Sequence, residues 1–176
     1  MEEKCTVEQM AEFWAYLDYA TFAINKAREK EVRQFGLSTV QNRILVIMRL
    51  CDHDPTIGEI SRILLRAHAS VVNLTRKMEA NGLLVKYRDP VKKNVVRVAI
   101  TEKGKQAYVK IAKRESLMRI FSLMTQEEYR IVKDFLNRVY AKGLEEAGIT
   151  DGITITEVWD LVGREYKPRE GRKNRK

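Results

Sequence analysis

TIGEISRILLRAHASVVNLTRKMEANGLLVKYRDPVKKNVVRVAITEKG, residues 56–104, carries the signals of two short helices followed by a two-stranded hairpin. Thr56 with Glu59 three residues on is a capping box, in which each residue satisfies a free backbone donor of the other at a helix start. Ile57, Ile60 and Leu64 recur behind it at helical spacing. Arg66-Ala67-His68 is the expected turn. Val71, Leu74, Thr75 and Met78 form the inward stripe of a second helix, and Gly82 ends it, because glycine accepts the left-handed conformation that follows a last helical turn. Ser70, Asn73, Arg76 and Lys77 fall on the outer face. Leu83-Leu84-Val85 and the run from Val95 to Ile100 are apolar or β-branched and flank Asp89-Pro90-Val91-Lys92-Lys93-Asn94, which predicts a hairpin with a mostly cationic tip. Helix, turn, helix and basic hairpin in that order make a winged helix-turn-helix, a shape suited to holding DNA.

Working outward, Thr6 with Gln9 caps a first helix expected to reach about Gln34, with Met10, Phe13, Leu17, Thr21 and Ile24 repeating every three or four residues. Trp14, Tyr16, Tyr19 and Phe22 widen that stripe beyond what one packing partner needs. Phe35-Gly36-Leu37 breaks the chain, Ser38 with Gln41 caps a second helix, and Ile44, Leu45, Ile47, Met48 and Cys51 mark it as buried. Beyond the hairpin, Thr101-Glu102-Lys103-Gly104 opens a third long helix with Tyr108, Ile111, Leu117, Ile120, Phe121 and Met124. Thr125 with Glu128 starts another, with Tyr129, Val132, Leu136 and Val139 inward and an end near Gly143.

The expected fold class is therefore mainly α with a small β-hairpin wing. A winged helix-turn-helix over residues 38–101 is flanked by N- and C-terminal dimerisation helices, residues 6–35 and 102–146. Thr154 with Glu157 predicts a short extra helix within residues 147–162, and residues 163–176 read as a basic, disordered tail. Long amphipathic helices at both ends need a surface to bury against. A second copy of the chain is the simplest one, since a twofold dimer interleaves both ends and sets two heads side by side.

At 176 residues and 44% hydrophobic content the chain has enough apolar surface for a real core. Its net charge of +9 is unevenly placed: +6 over residues 54–105 and +5 over residues 163–176, against −1 in each of the two remaining blocks. A polyanion binder concentrates charge in this way, where phosphates must be neutralised. Cys5 and Cys51 do not make a secreted disulfide framework, and MEEKCTVEQM has no signal-peptide pattern, so a soluble, cytoplasmic protein in a reducing compartment is expected. No run reaches the roughly 20 apolar residues that span a bilayer, and no membrane partner is expected.

A helix fits the major groove, about 12 Å wide, and reads bases with side chains near its N-terminus. Here those are His68, Ala69, Ser70, Val72 and Asn73. Asn73 can pair with adenine, Ser70 can serve either base, and Ala69 or Val72 can meet a thymine methyl; without an arginine in this turn, dependence on guanine is modest. Arg62, Arg66, Arg76, Lys77, Lys92, Lys93 and Arg97 are candidates for phosphate contacts, which fix register without reading sequence.

The order of elements, with GLSTVQ at residues 36–41, NLTRKMEANGLL at 73–84 and AITEKG at 99–104, resembles the MarR family of transcription regulators over about residues 8–143. The resemblance implies a dimeric winged-helix protein, a sequence-specific homodimeric repressor on a palindromic operator in double-stranded DNA, released by a small-molecule effector. It also places Trp14, Tyr16, Tyr19 and Phe22 beside the cleft between dimerisation region and head, where a small apolar or phenolic effector could lodge; the plainer reading is that these rings are dimer core. The family's wing usually reads Asp-x-Arg, and Lys92-Lys93-Asn94 stand at those positions here, so Lys92 or Lys93 would replace an arginine that Asn94 cannot. An oxidant-sensing role for Cys5, or metal binding by Cys51-Asp52-His53-Asp54, is the weaker reading beside a plain terminus and a helix-to-helix turn. No cofactor or metal is expected.

The chain lacks H-E-x-x-H, G-x-S-x-G, a Walker loop and G-x-G-x-x-G, so catalysis is not expected. The rival readings are a protein–protein interaction module that uses a winged-helix fold without specific DNA binding, and a sequence-neutral DNA-binding protein driven by the tail.

Overall fold

The computed structural model describes residues 4–150 together with Thr154 and Glu157. Most of the extra helix expected within 147–162, and all of the expected basic tail 163–176, lie outside the described residues. The element order is α1 (Val7–Arg33), α2 (Thr39–Leu50), α3 (Ile57–Leu64), α4 (His68–Ala80), β1 (Leu84–Arg88), β2 (Val96–Ile100), α5 (Glu102–Ile111), α6 (Glu115–Phe121) and α7 (Gln126–Glu146). Reciprocal capping boxes open four of these helices, at Thr6 and Gln9, Ser38 and Gln41, Thr56 and Glu59, and Thr125 and Glu128.

The core lies between Val32 and Ile111. It gathers Ile44, Leu45 and Met48 from α2, Ile60 and Leu64 from α3, Val71 and Met78 from α4, Val98 from β2, and Tyr108 and Ile111 from α5. By contrast α7 buries nothing within the single chain, and α1 buries only Val32.

The strands pair antiparallel in the register Leu84 with Ile100 through Arg88 with Val96. Val98 N–H donates to the Pro55 carbonyl at 2.9 Å, and Thr56 bridges Arg97, so the residues entering α3 form a short third rung beside the hairpin. The wing is thereby fastened to the start of the helix-turn-helix.

Three short sequence signatures have a physical role in this frame. Gly36 takes a φ of +71° ahead of the Ser38 and Gln41 cap that starts α2. Glu79 of α4 accepts the Lys86 backbone N–H at 3.0 Å, tying the helix to β1. Gly82 then turns with φ +70°, and the Leu83 N–H reaches back to the Met78 carbonyl at 2.9 Å. Thr101 caps α5 at the Gly104 N–H, and its hydroxyl donates to the Gly82 carbonyl at 2.7 Å. Gly104 itself lies so close to the Leu83 backbone that an added Cβ would stand 2.2 Å from the carbonyl oxygen.

One expected element is corrected. The third long helix from Thr101 to Met124 is two helices, α5 and α6, separated at Arg114, which adopts left-handed φ 49°, ψ 40°. The cause lies on α1. The Glu31 carboxylate accepts the Glu115 and Ser116 backbone N–H groups, at 2.9 and 3.2 Å, together with the Ser116 hydroxyl. Arg28 pairs with Glu31 at 2.9 Å and donates to the Ile111 carbonyl at 3.3 Å. One ion pair thus serves the carbonyl end of α5 and the amide end of α6, the groups a helix break leaves without intrahelical partners.

Candidate nucleic-acid interface

The turn of the helix-turn-helix is carried by Leu65, not by the three residues after it. Leu65 takes a left-handed φ of 51°, its N–H donates to the Arg62 carbonyl at 3.2 Å, and the Arg66 N–H donates to the Ser61 carbonyl at 3.1 Å. His68 is therefore the first residue of α4 rather than the last of the turn. Ala67, the residue before it, offers no side-chain cap. In a chain where four other helices are boxed, this N-terminus has no side-chain cap on its first amides, and uncapped helix amides attract anions.

His68, Ala69, Ser70 and Asn73 are exposed on the first turns of α4, while Val72 is half-buried. Arg76 and Lys77 follow on the exposed face, while Val71, Thr75 and Met78 are buried against the core. Arg62 and Arg66 are exposed beside the helix start, and with Gly58, Ser61, Leu65, His68 and Ile149 they line a cleft of about 360 Å³. Arg43 of α2 lies within electrostatic reach of Arg66, a neighbour that sequence spacing alone did not suggest. Glu157, capped onto Thr154, is close enough to Arg62 for the guanidinium to help hold its carboxyl below the usual range, after the larger effect of the Thr154 N–H and hydroxyl.

Lys92, Lys93 and Asn94 are all exposed at the wing tip. Arg97, expected at a phosphate, is instead engaged inside the wing. Its Nε donates to the Asp89 carboxylate and a terminal nitrogen donates to the Asp54 carbonyl at 2.8 Å. The carboxylate that steadies the wing is thus Asp89, three residues before the Lys92 position where the resemblance looks for one. The other Asp89 oxygen accepts the Val91 and Lys92 N–H groups, both at 2.9 Å. The Lys92 amide, then Arg97, then the Val91 amide hold the Asp89 carboxyl down from 3.8 to about 2. Its charge is present at any ordinary pH.

The loop between α2 and α3 anchors this arrangement. The Tyr87 hydroxyl donates to the Asp54 carboxylate at 2.7 Å, a bond that raises the phenol's pKa. His53 Nε2 meets Glu59 at 2.9 Å. Burial pushes the Glu59 carboxyl up, but the Thr56 amide, His53 and the Thr56 hydroxyl outweigh it and bring it to about 2. His53 and Asp54 accordingly have structural partners, and among the described residues no group of three or more His, Cys, Asp or Glu is placed to hold a metal. Cys5 is exposed ahead of α1.

Trp14, Tyr16, Tyr19 and Phe22 are all exposed along α1 in the single chain. At 100° per residue, Tyr19 and Phe22 project away from Phe13, Leu17 and Ile24, while Trp14 and Tyr16 fall on opposite flanks between the two sides. Phe13 meets Phe135 of α7 edge to face at a centroid distance of 5.2 Å. One side of α1 is used within the chain and the other is open. Among the described residues no helix is long and apolar enough to cross a membrane.

No family model matches the chain. A curated relative described as an uncharacterized HTH-type transcriptional regulator, YsmB of Bacillus subtilis (strain 168), is 31% identical over 88 residues, which is 49% of this chain and 60% of that protein. The match spans less than two thirds of the relative. Among solved structures, the ligand-free organohalide-sensing transcriptional regulator RdhR-CbdbA1625 superposes with a TM-score of 0.75 at 21% identity, over 85% of this chain and 89% of that one. AbsC, a MarR family regulator from Streptomyces coelicolor, gives 0.72 at 17% identity, over 82% and 99%. A mutant of MarR from E. coli, complexed with operator DNA, gives 0.68 at 13% identity, over 77% and 99%. At such identities the likeness establishes the fold, a winged helix framed by terminal helices as in MarR-type regulators.

Proposed function

We propose that this chain is a sequence-specific DNA-binding transcription regulator of the MarR type, acting as a homodimeric repressor on a palindromic operator. The observation that carries the reading is the start of α4: an N-terminus without a side-chain cap, with His68, Ala69, Ser70 and Asn73 exposed and Arg62 and Arg66 beside it. Those side chains would read base edges in the major groove, and Arg62, Arg66, Arg76, Lys77, Lys92 and Lys93 would neutralise phosphates. The exposed apolar residues of α1, α6 and α7 would be covered by a second copy, which sets two heads on one duplex. A small apolar or phenolic effector held near Trp14, Tyr16, Tyr19 and Phe22 would change the spacing of the heads; the organohalide sensor has itself been solved with 2,4-dichlorophenol bound.

The test is selection of duplexes from fragmented genomic DNA by the full chain, followed by a salt titration on the enriched sequence. If a dimer neutralises about eight phosphates, log affinity falls with log salt at a slope near −7. Enrichment of one inverted-repeat site with a steep slope is the expected result. Equal retention of all fragments, or a slope close to zero, overturns the reading in favour of sequence-neutral binding or a protein-binding role.

A further inference from the structure

Val91 is the most exposed of the wing's large apolar side chains, at 86%, and the backbone beneath it is fastened. The turn is closed by the Asp89 N–H on the Val95 carbonyl at 2.9 Å and by the Val95 N–H on the Lys92 carbonyl at 2.8 Å. Asp89 grips the Val91 and Lys92 amides from inside, Arg97 holds Asp89, and both Arg97 and Tyr87 hold Asp54 at the approach to α3. Pro90 and Val91 therefore form a fixed apolar apex, with Lys92 and Lys93 exposed beside it.

An isopropyl group kept in water on a stiff turn gains nothing within the free chain, but gains roughly 25 cal/mol for each Å² it buries against an apolar surface. The tip of a two-stranded hairpin can reach into the minor groove of a duplex, about 6 Å wide. At an A·T pair the floor of that groove shows acceptors only, whereas at a G·C pair the guanine amino group projects and asks for an acceptor that valine cannot offer. Apolar side chains do contact base steps from that side, and narrow A·T tracts carry an enhanced negative potential that draws cations such as Lys92 and Lys93.

We infer that Val91, with Pro90, is a minor-groove reader: it sets a preference for A·T over G·C at the base pairs beneath the wing, while Lys92 and Lys93 supply sequence-neutral attraction. The inference rests on the head being a duplex binder, as proposed above. It assigns specificity to an uncharged side chain at the tip, with Arg97 acting as a positioning residue behind it.

The experiment uses duplexes selected from a random pool by the full chain, with hydroxyl-radical footprinting to locate the minor-groove positions that the wing protects. At those positions A·T, I·C and G·C pairs are compared by titration. Inosine lacks the 2-amino group, so I·C matches A·T in the minor groove and G·C in the major groove. Wild-type protein is expected to bind A·T and I·C within about twofold of each other and G·C at least about fivefold more weakly. Val91→Ser, at a side chain open to solvent, should bind all three alike. Lys92→Gln with Lys93→Gln should weaken all three and reduce the salt slope by about two for each wing engaged, with the preference intact. Retained preference in Val91→Ser, or I·C behaving as G·C, overturns the inference while leaving the duplex-binding reading in place. Failure to enrich any duplex overturns both.

Discussion

Asp89 concentrates the wing's geometry in one side chain. Its two oxygens take three donors from a turn whose exposed residues, Val91, Lys92 and Lys93, are the ones offered to a partner. Asp89→Asn removes the charge that Arg97 pairs with and brings an amide that must point at other donors. The variant should keep its overall fold, with a Tm within about 2 °C of wild type, while hydrogen exchange at the Val91 and Lys92 amides rises. Unchanged exchange at those two amides would show that the carboxylate does not hold the tip. The pH dependence follows from the sign of the shift. A carboxyl held below its ordinary value contributes stability that is complete above the unfolded value, near 3.8, and disappears as pH falls toward about 2. Between pH 5 and 8 this group should leave the wing unaffected.

Among the elements, α5 leaves the hairpin at a point of close backbone contact. Gly104 is the residue that permits it, with the Leu83 carbonyl oxygen 2.2 Å and the Ile100 Cγ1 2.8 Å from where a Cβ would be. Gly104→Ala should force α5 off the hairpin and cost about 1–3 kcal/mol in urea denaturation. Gly58 is the control, since its nearest non-local atom to an added Cβ is the Thr56 Oγ1 at 3.8 Å. Gly58→Ala, inside α3, should be neutral or stabilising by up to about 1 kcal/mol. If both variants unfold at the same urea concentration as wild type, the close approach at Gly104 does not constrain the fold. This contrast also explains what could be read in advance. The boxes at Thr6, Ser38, Thr56 and Thr125 act within three residues and are legible as spacing, as is the glycine after Thr101. The break between α5 and α6 is set by Glu31, 84 residues before the Glu115 amide it accepts, and no local pattern near Arg114 announces it. The same holds for Arg97, whose eight-residue reach to Asp89 closes only when the hairpin register is known. The outward face of α4 was legible because helical period alone separates Ser70, Asn73, Arg76 and Lys77 from Val71, Thr75 and Met78.

At the scale of the whole molecule, charge and apolar exposure are segregated. The head carries the excess of cations, while the terminal helices are near neutral and leave Tyr16, Tyr19 and Phe22 on α1, Met118 on α6 and Ile131 on α7 open to solvent. The closed core takes Val32 from the end of α1 and Tyr108 and Ile111 from α5, while the rest of α1 and all of α7 add no buried residue to it. The long helices need a partner for their apolar residues, and a second copy meets that need while aligning two heads. Placing carboxylates on the open faces should therefore separate assembly from folding. Tyr19→Glu with Phe22→Glu on α1, and independently Ile131→Glu on α7, should retain helical circular dichroism and elute as monomers in light-scattering chromatography. Their affinity for a selected inverted-repeat duplex should fall by about a hundredfold or more, because the second half-site no longer benefits from being tethered to the first. Binding to a single half-site should change little, since His68, Ser70, Asn73 and the wing are untouched. If both variants remain dimeric, the copies meet through other surfaces; if the monomers bind the full site as tightly as wild type, the paired arrangement of heads is not what gives this chain its grip on DNA.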